Sequence, residues 1–93
     1  MEYLESIRNA TETILKMPVV KKYKDKYKPA EVFTDCLYPN LVIYLDGNAR
    51  KNYFRKTVEN IKNMDLVHDV IYETPQDETV SASLIIRFKR KGE

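Results

Sequence analysis

Five consecutive apolar residues, Leu41, Val42, Ile43, Tyr44 and Leu45, closed off by Asp46, Gly47 and Asn48, admit few folds. A segment this short and apolar at both odd and even positions reads as a strand covered on both faces, and so as an interior member of a sheet. Two later segments supply neighbours. Leu66, Val67, Val70, Ile71 and Tyr72 run into the turn-forming residues Thr74, Pro75, Gln76 and Asp77, and a further strand is expected from Thr79 to about Lys89. The polar connection between these two strands predicts an antiparallel hairpin.

Helical spacing flanks this sheet. Tyr3, Leu4, Ile7, Thr11, Ile14 and Leu15 recur at steps of three and four over residues 2–17, the pattern of an amphipathic helix that Pro18 ends. Val19 and Val20 then read as a short strand leading into a basic loop. Phe54, Val58 and Ile61 share one face, which predicts a helix over 49–63 with Asn48 as its N-cap. Residues 29–38 admit two readings. Pro29, Ala30 and Glu31 make an apt helix start and place Val32, Phe33, Cys36 and Leu37 on one face, which favours a helix. The same residues are good strand formers, in which case Pro39 and Asn40 make a tight turn into the apolar run. The expected class is α+β: a small single-layer sheet of about four strands packed with two to three helices, the N-terminal helix being an addition to the strand-and-helix unit.

The chain has 93 residues, room for one domain spanning 1–93. Hydrophobic residues make up 43% and charged residues 32%, enough for a modest core under a heavily charged exterior. A domain this short buries only about 60% of its unfolded surface, so homodimerisation is expected to supplement its stability. Cys36 is the only cysteine, which fits a reducing compartment, and Phe33 and Leu37 beside it suggest a buried, inert thiol. The start Met1, Glu2, Tyr3, Leu4, Glu5 has neither a basic leader nor an apolar run, and no stretch approaches the roughly 20 apolar residues of a membrane span. The expected location is the cytoplasm, or its archaeal or viral counterpart, with no membrane partner.

Catalytic motifs are missing from the sequence. Gly47 and Gly92 are the only glycines, so no phosphate-cradling loop can form. One histidine, His68, and one cysteine cannot build the common zinc sites, and Asp65, Asp69, Glu73, Asp77 and Glu78 match no calcium-loop spacing. No enzyme activity, metal or cofactor is expected.

Charge is segregated, although the net value is only +2. Lys16, Lys21, Lys22, Lys24, Lys26 and Lys28 face only Asp25, while Arg50, Lys51, Arg55, Lys56 and Lys62 face only Glu59. Arg87, Lys89, Arg90 and Lys91 close the chain, whereas residues 65–78 hold five acids and no lysine or arginine. At 100° per residue, Lys51, Arg55 and Lys62 fall within about 40° of one another, forming one basic edge. Such an edge suits regularly spaced phosphates, which it binds by releasing condensed counterions. Tyr23 and Tyr27, interleaved with lysines, suit stacking on unpaired bases. Arg87, Lys89 and Lys91 alternate with Phe88 and Arg90, which gives the last strand one basic face; charges on an edge strand also guard against aggregation.

From Asn40 to Lys91, the order strand, turn, helix, strand, hairpin and strand resembles the Alba family of small nucleic-acid-binding proteins. The residues that carry it are Leu41 to Tyr44 leading into Asp46, Gly47, Asn48, Ala49, Arg50 and Lys51, and the ending Val80 to Arg90. The resemblance implies a compact dimer that lays basic loops on a DNA or RNA backbone, with Val19 to Tyr23 as the first strand if 29–38 is a helix. It implies phosphate contacts from Lys21 and Lys22, or from Lys24 and Lys26, and from Arg50. The hairpin arm, usually basic in that family, here reads Glu73, Thr74, Pro75, Gln76, Asp77, Glu78 and would be repelled from a groove.

Two functions follow as expectations. The first is non-enzymatic binding of DNA or RNA through Lys21, Lys22, Lys24, Lys26, Arg50, Lys51, Arg55, Arg87 and Lys89. The second is a protein-interaction module, such as a small viral or plasmid regulator, that docks a protein partner through its N-terminal helix.

Overall fold

A computed structural model describes residues 2–77 and 80–93. In chain order its elements are α1 (Glu2–Leu15), α2 (Pro18–Tyr23), β1 (Glu31–Phe33), β2 (Asn40–Tyr44), a 3-10 turn (Lys51–Phe54) running straight into α3 (Arg55–Lys62), β3 (Val67–Glu73) and β4 (Ser83–Phe88). The strands form one antiparallel-paired sheet in the order β1-β2-β4-β3, with helices on one face, so the α+β class and the β3–β4 hairpin stand as expected.

The core lies between the sheet and the helices. Leu41, Ile43 and Leu45 from β2 and the residue after it, and Leu84, Ile86 and Phe88 from β4, point inward and are buried. Ile7, Ala10 and Ile14 of α1, Val20 of α2, and Phe54 and Ile61 from the 3-10 turn and α3 meet them in the same cluster. The apolar stripe of α1 is thus used inside the domain, leaving Leu4 as its exposed apolar residue, at 55%. A hydrogen bond from the Tyr3 hydroxyl to the Lys89 carbonyl (2.6 Å) ties α1 to the far end of the chain.

Several local expectations are corrected. Pro18 starts a helix rather than only ending one: it occupies the first turn of α2, where a missing N–H costs nothing, and Val20 is buried beneath it. Val19 to Tyr23 is therefore helix, not a first strand. Residues 31–33 are the strand β1, pairing Glu31 with Val42 and Phe33 with Asn40; a ladder partner outweighed the helix-start signal at Pro29. No tight turn joins β1 to β2, because residues 34–39 intervene and the buried Pro39 gives its carbonyl to the Phe88 N–H (2.7 Å). Cys36 is exposed, not buried, because it sits in that connection. Asn48 is not an N-cap: the Asp46 carboxylate accepts its N–H (2.8 Å) in a local turn, and the helix begins from an extended Arg50 as a 3-10 turn. The last strand begins at Ser83, later than Thr79, which lies outside the described residues. Only one face of β2 is buried; Val42 and Tyr44 on the other are half-exposed.

One irregularity sets the chemistry of the sheet edge. Val67 pairs with Phe88 and Asp69 with Arg87, so two steps on β3 match one on β4, and His68 is the extra residue of a β-bulge. Before the bulge Val67 points into the core; after it, Val70 and Tyr72 point inward while Asp69, Ile71 and Glu73 point out.

Candidate nucleic-acid interface

The 3-10 turn and α3 pack over the inner face of β3, and between them runs an open groove of about 670 Å³. Its helix wall carries Arg50, Lys51, Asn52, Arg55, Val58, Glu59 and Lys62, and its strand wall Val70 and Tyr72. Helical spacing accounts for the first wall. Arg55, Glu59 and Lys62 recur at steps of four and three, and Val58 lies between them. Among the described residues, Glu59 is the one carboxylate lining the groove, against four cations.

Arg50 is held in place by the loop before it. Its Nη1 donates to the carbonyls of Gly47 (3.0 Å) and Ala49 (2.9 Å), both neutral, so its charge is not cancelled. Burial pushes the Tyr72 phenol above the ordinary tyrosine range while Arg50 pulls it down, which places the two side chains in one electrostatic neighbourhood. Tyr72 therefore stays a neutral phenol at physiological pH, packed against Phe54 at 5.6 Å between centroids. A second cavity of about 390 Å³ shares Arg50, Lys51 and Tyr72 and reaches Asp46 and Asp77, so the cationic stretch has an acidic boundary at the hairpin end.

Among the described residues, ion pairs involve only His68 with Glu93, Arg87 with Asp69, and Arg90 with Glu93. None lies in the groove. Lys62 is near enough to Asp69 to help lower its pKa, but the carboxylate itself is on the outer face.

The first basic segment is divided. Lys21 and Lys22 are exposed on α2, and the Lys22 ammonium lies 5.5 Å from the ring centre of Tyr23. Tyr23 stacks on Tyr53 of the 3-10 turn (5.3 Å, 29°), which brings the end of α2 beside the groove. Lys24 follows in a lone bridge to Leu45, where it is half-buried, and Lys26 is exposed in a turn built on Asp25, whose carboxylate accepts the N–H groups of Tyr27 and Lys28. Lys28 lies over Tyr44 on the outer face (5.6 Å), away from the groove.

Arg87 and Lys89 do not join this surface. Arg87 points outward and grips Asp69 with two nitrogens, Nε to Oδ1 at 2.7 Å and Nη2 to Oδ2. The Asp69 carboxyl is held below its ordinary range chiefly by that hydrogen bond, against the opposing effect of burial. Lys89 is half-buried beyond the strand end, its N–H donating to Leu66 (2.8 Å). The basic face expected of the last strand is therefore neutralised at Arg87. His68 is exposed at the bulge and stacks on Tyr38 (4.3 Å, 22°).

Sequence reasoning missed Tyr53 and Tyr72. Tyr53 stands three residues after Arg50 inside the basic run, a usable signal; Tyr72 owes its inward aim to the bulge, which left no mark in the periodicity. Among the described residues, no cluster of histidine, cysteine, aspartate and glutamate is placed to hold a metal ion, and no helix is long and apolar enough to cross a membrane. Comparison with protein-family models, curated proteins and solved structures finds no match.

Proposed function

We propose that this chain is a non-enzymatic nucleic-acid-binding protein that takes the phosphate backbone of DNA or RNA into the groove between α3 and β3. The observation that carries the reading is the gathering of Arg50, Lys51, Arg55 and Lys62 around one open channel in which, among the described residues, Glu59 is the single carboxylate. An excess of cations over carboxylates along a concave wall concentrates positive potential, and a polyanion gains by releasing its condensed counterions there. Lys21 and Lys22 extend the cationic surface past the Tyr23–Tyr53 stack. The likeness of residues 40–91 to the Alba family points the same way. The protein-interaction alternative loses its proposed docking element, because the stripe of α1 lies in the core.

The test is fluorescence anisotropy with labelled DNA and RNA at low salt. Binding that weakens steeply as salt is added is expected, with non-specific dissociation constants of about 10⁻⁴ to 10⁻⁶ M near physiological salt. No binding of either polymer at low salt would end the proposal. Homodimerisation is part of the same reading, since two copies double the phosphate contacts; a light-scattering mass of one chain under the binding conditions would remove it.

A further inference from the structure

The Tyr23–Tyr53 pair stands where the two basic segments meet. Lys22 lies over Tyr23 from the α2 side, while Arg50, Lys51 and Asn52 precede Tyr53 on the groove side. The Tyr53 N–H donates to the Arg50 carbonyl (3.0 Å), so the two residues belong to one hydrogen-bonded turn. Although Tyr53 stacks on Tyr23, 46% of it remains exposed.

An aromatic ring left in solvent between cations is a poor arrangement for a duplex, whose base faces are covered by their neighbours. It suits an unpaired base, which brings a π-face to the ring while its flanking phosphates meet the lysines and arginines. The Tyr23 ring packed against Tyr53 restricts its motion, which lowers the ordering cost of stacking a base on it.

We propose that the nucleic acid bound here is single-stranded, with a base stacked on Tyr53 and the strand running from the groove across the ring toward Lys22. This rests on the groove reading above and narrows it to a substrate class. It assigns Tyr53 the role of a base-stacking residue, distinct from the phosphate-binding cations.

The experiment compares a labelled oligo(dT) of about 15 nucleotides, near the upper end of the site size of small single-strand binders, with a blunt duplex of equal length. Both are titrated against the wild-type protein, Tyr53→Leu and Tyr53→Phe. Unchanged circular dichroism and thermal midpoints establish that the variants fold. The expected result is tighter binding of the single strand, a loss of about 5- to 100-fold for Tyr53→Leu on the single strand only, and retention by Tyr53→Phe, as base stacking on an aromatic ring requires. Equal affinity for both polymers, or an equal loss for Tyr53→Leu on both, overturns the single-strand assignment and leaves the groove reading standing. Failure of the wild-type protein to bind either polymer overturns both.

Discussion

Neutralising Arg55 and Lys62 together, as Arg55→Gln and Lys62→Gln, gives the most exacting check on the groove. Both side chains line it, both residues are exposed, and neither belongs to an ion pair among the described residues, so the change removes charge without opening the core. With Arg50, Lys51 and Lys22 they make five cations within reach of one strand. Each phosphate neutralised contributes about 0.7 to the slope of log affinity against log salt for a single strand, so the wild-type slope should lie near about −3.5. Raising salt from about 50 to about 200 mM should then weaken binding roughly 100-fold. With two cations removed the slope falls to about −2.1, and the same salt increase costs roughly 20-fold. Anisotropy titrations at four or five salt concentrations measure both lines, which should converge toward about 1 M salt. Lys91→Gln, beyond β4 and outside the groove, is the control and should keep the wild-type slope. Parallel lines for wild type and double variant would refute the reasoning, because they would mean that Arg55 and Lys62 act on the protein's shape and not on phosphate.

Three further outcomes test the fold beneath the site. Removing residues 2–17 strips Ile7, Ala10 and Ile14 from the shared core, so the truncated chain should lose its cooperative thermal transition; a truncation that melts like the full chain would make α1 an appendage. The Asp69 carboxyl is held below its unfolded value by Arg87, so its contribution to stability is complete above the ordinary carboxylate pKa of about 4 and fades as pH falls through the lowered folded value. Thermal melts of Arg87→Gln should therefore show a shallower fall in midpoint on acidification than the wild type, and identical profiles would show the pair to be irrelevant. Cys36, exposed in the β1–β2 connection, should react stoichiometrically with a thiol reagent in the folded protein, whereas reaction only on adding denaturant would place it in the interior.

Elements whose own residues carry a period were legible in the sequence. The 3.6-residue spacing of Ile7, Thr11 and Ile14 marks α1, and the apolar content of residues 41–45 and 66–72 and of the 79–89 segment marks the three long strands, the last of them shorter at its start than expected. Elements set by partners were not. All three residues of β1 are exposed, and nothing but the ladder to β2 makes them a strand. The pyrrolidine of Pro18 reads equally as the end of one helix or the first turn of the next, and the core's need for Val20 decides. The groove was half visible for the same reason. Helical geometry alone places Lys51, Arg55 and Lys62 on one edge, but Val70 and Tyr72 reach it through sheet register. Register likewise sets Arg87 opposite Asp69, which withdraws one predicted cation from the surface.

The bulge at His68 explains how an acidic strand comes to wall a cationic groove. Along an unbroken β3, side chains alternate strictly, so the face that begins with the buried Val67 would continue with Asp69, Ile71 and Glu73. Two carboxylates would then face Arg50, Arg55 and Lys62 across the channel and neutralise most of its charge. Inserting one extra residue reverses the alternation. Asp69 and Glu73 turn to the outer face, where Arg87 takes up Asp69, and Val70 and Tyr72 turn inward as an uncharged wall. The segregation of charge along the sequence, with acids gathered in 65–78 and bases around 50–62, would by itself have brought opposite charges together, because these two segments pack against each other as α3 and β3. A single irregular residue keeps them on opposite faces of the sheet, and the positive potential of the groove follows from that local geometry more than from the net charge of the chain.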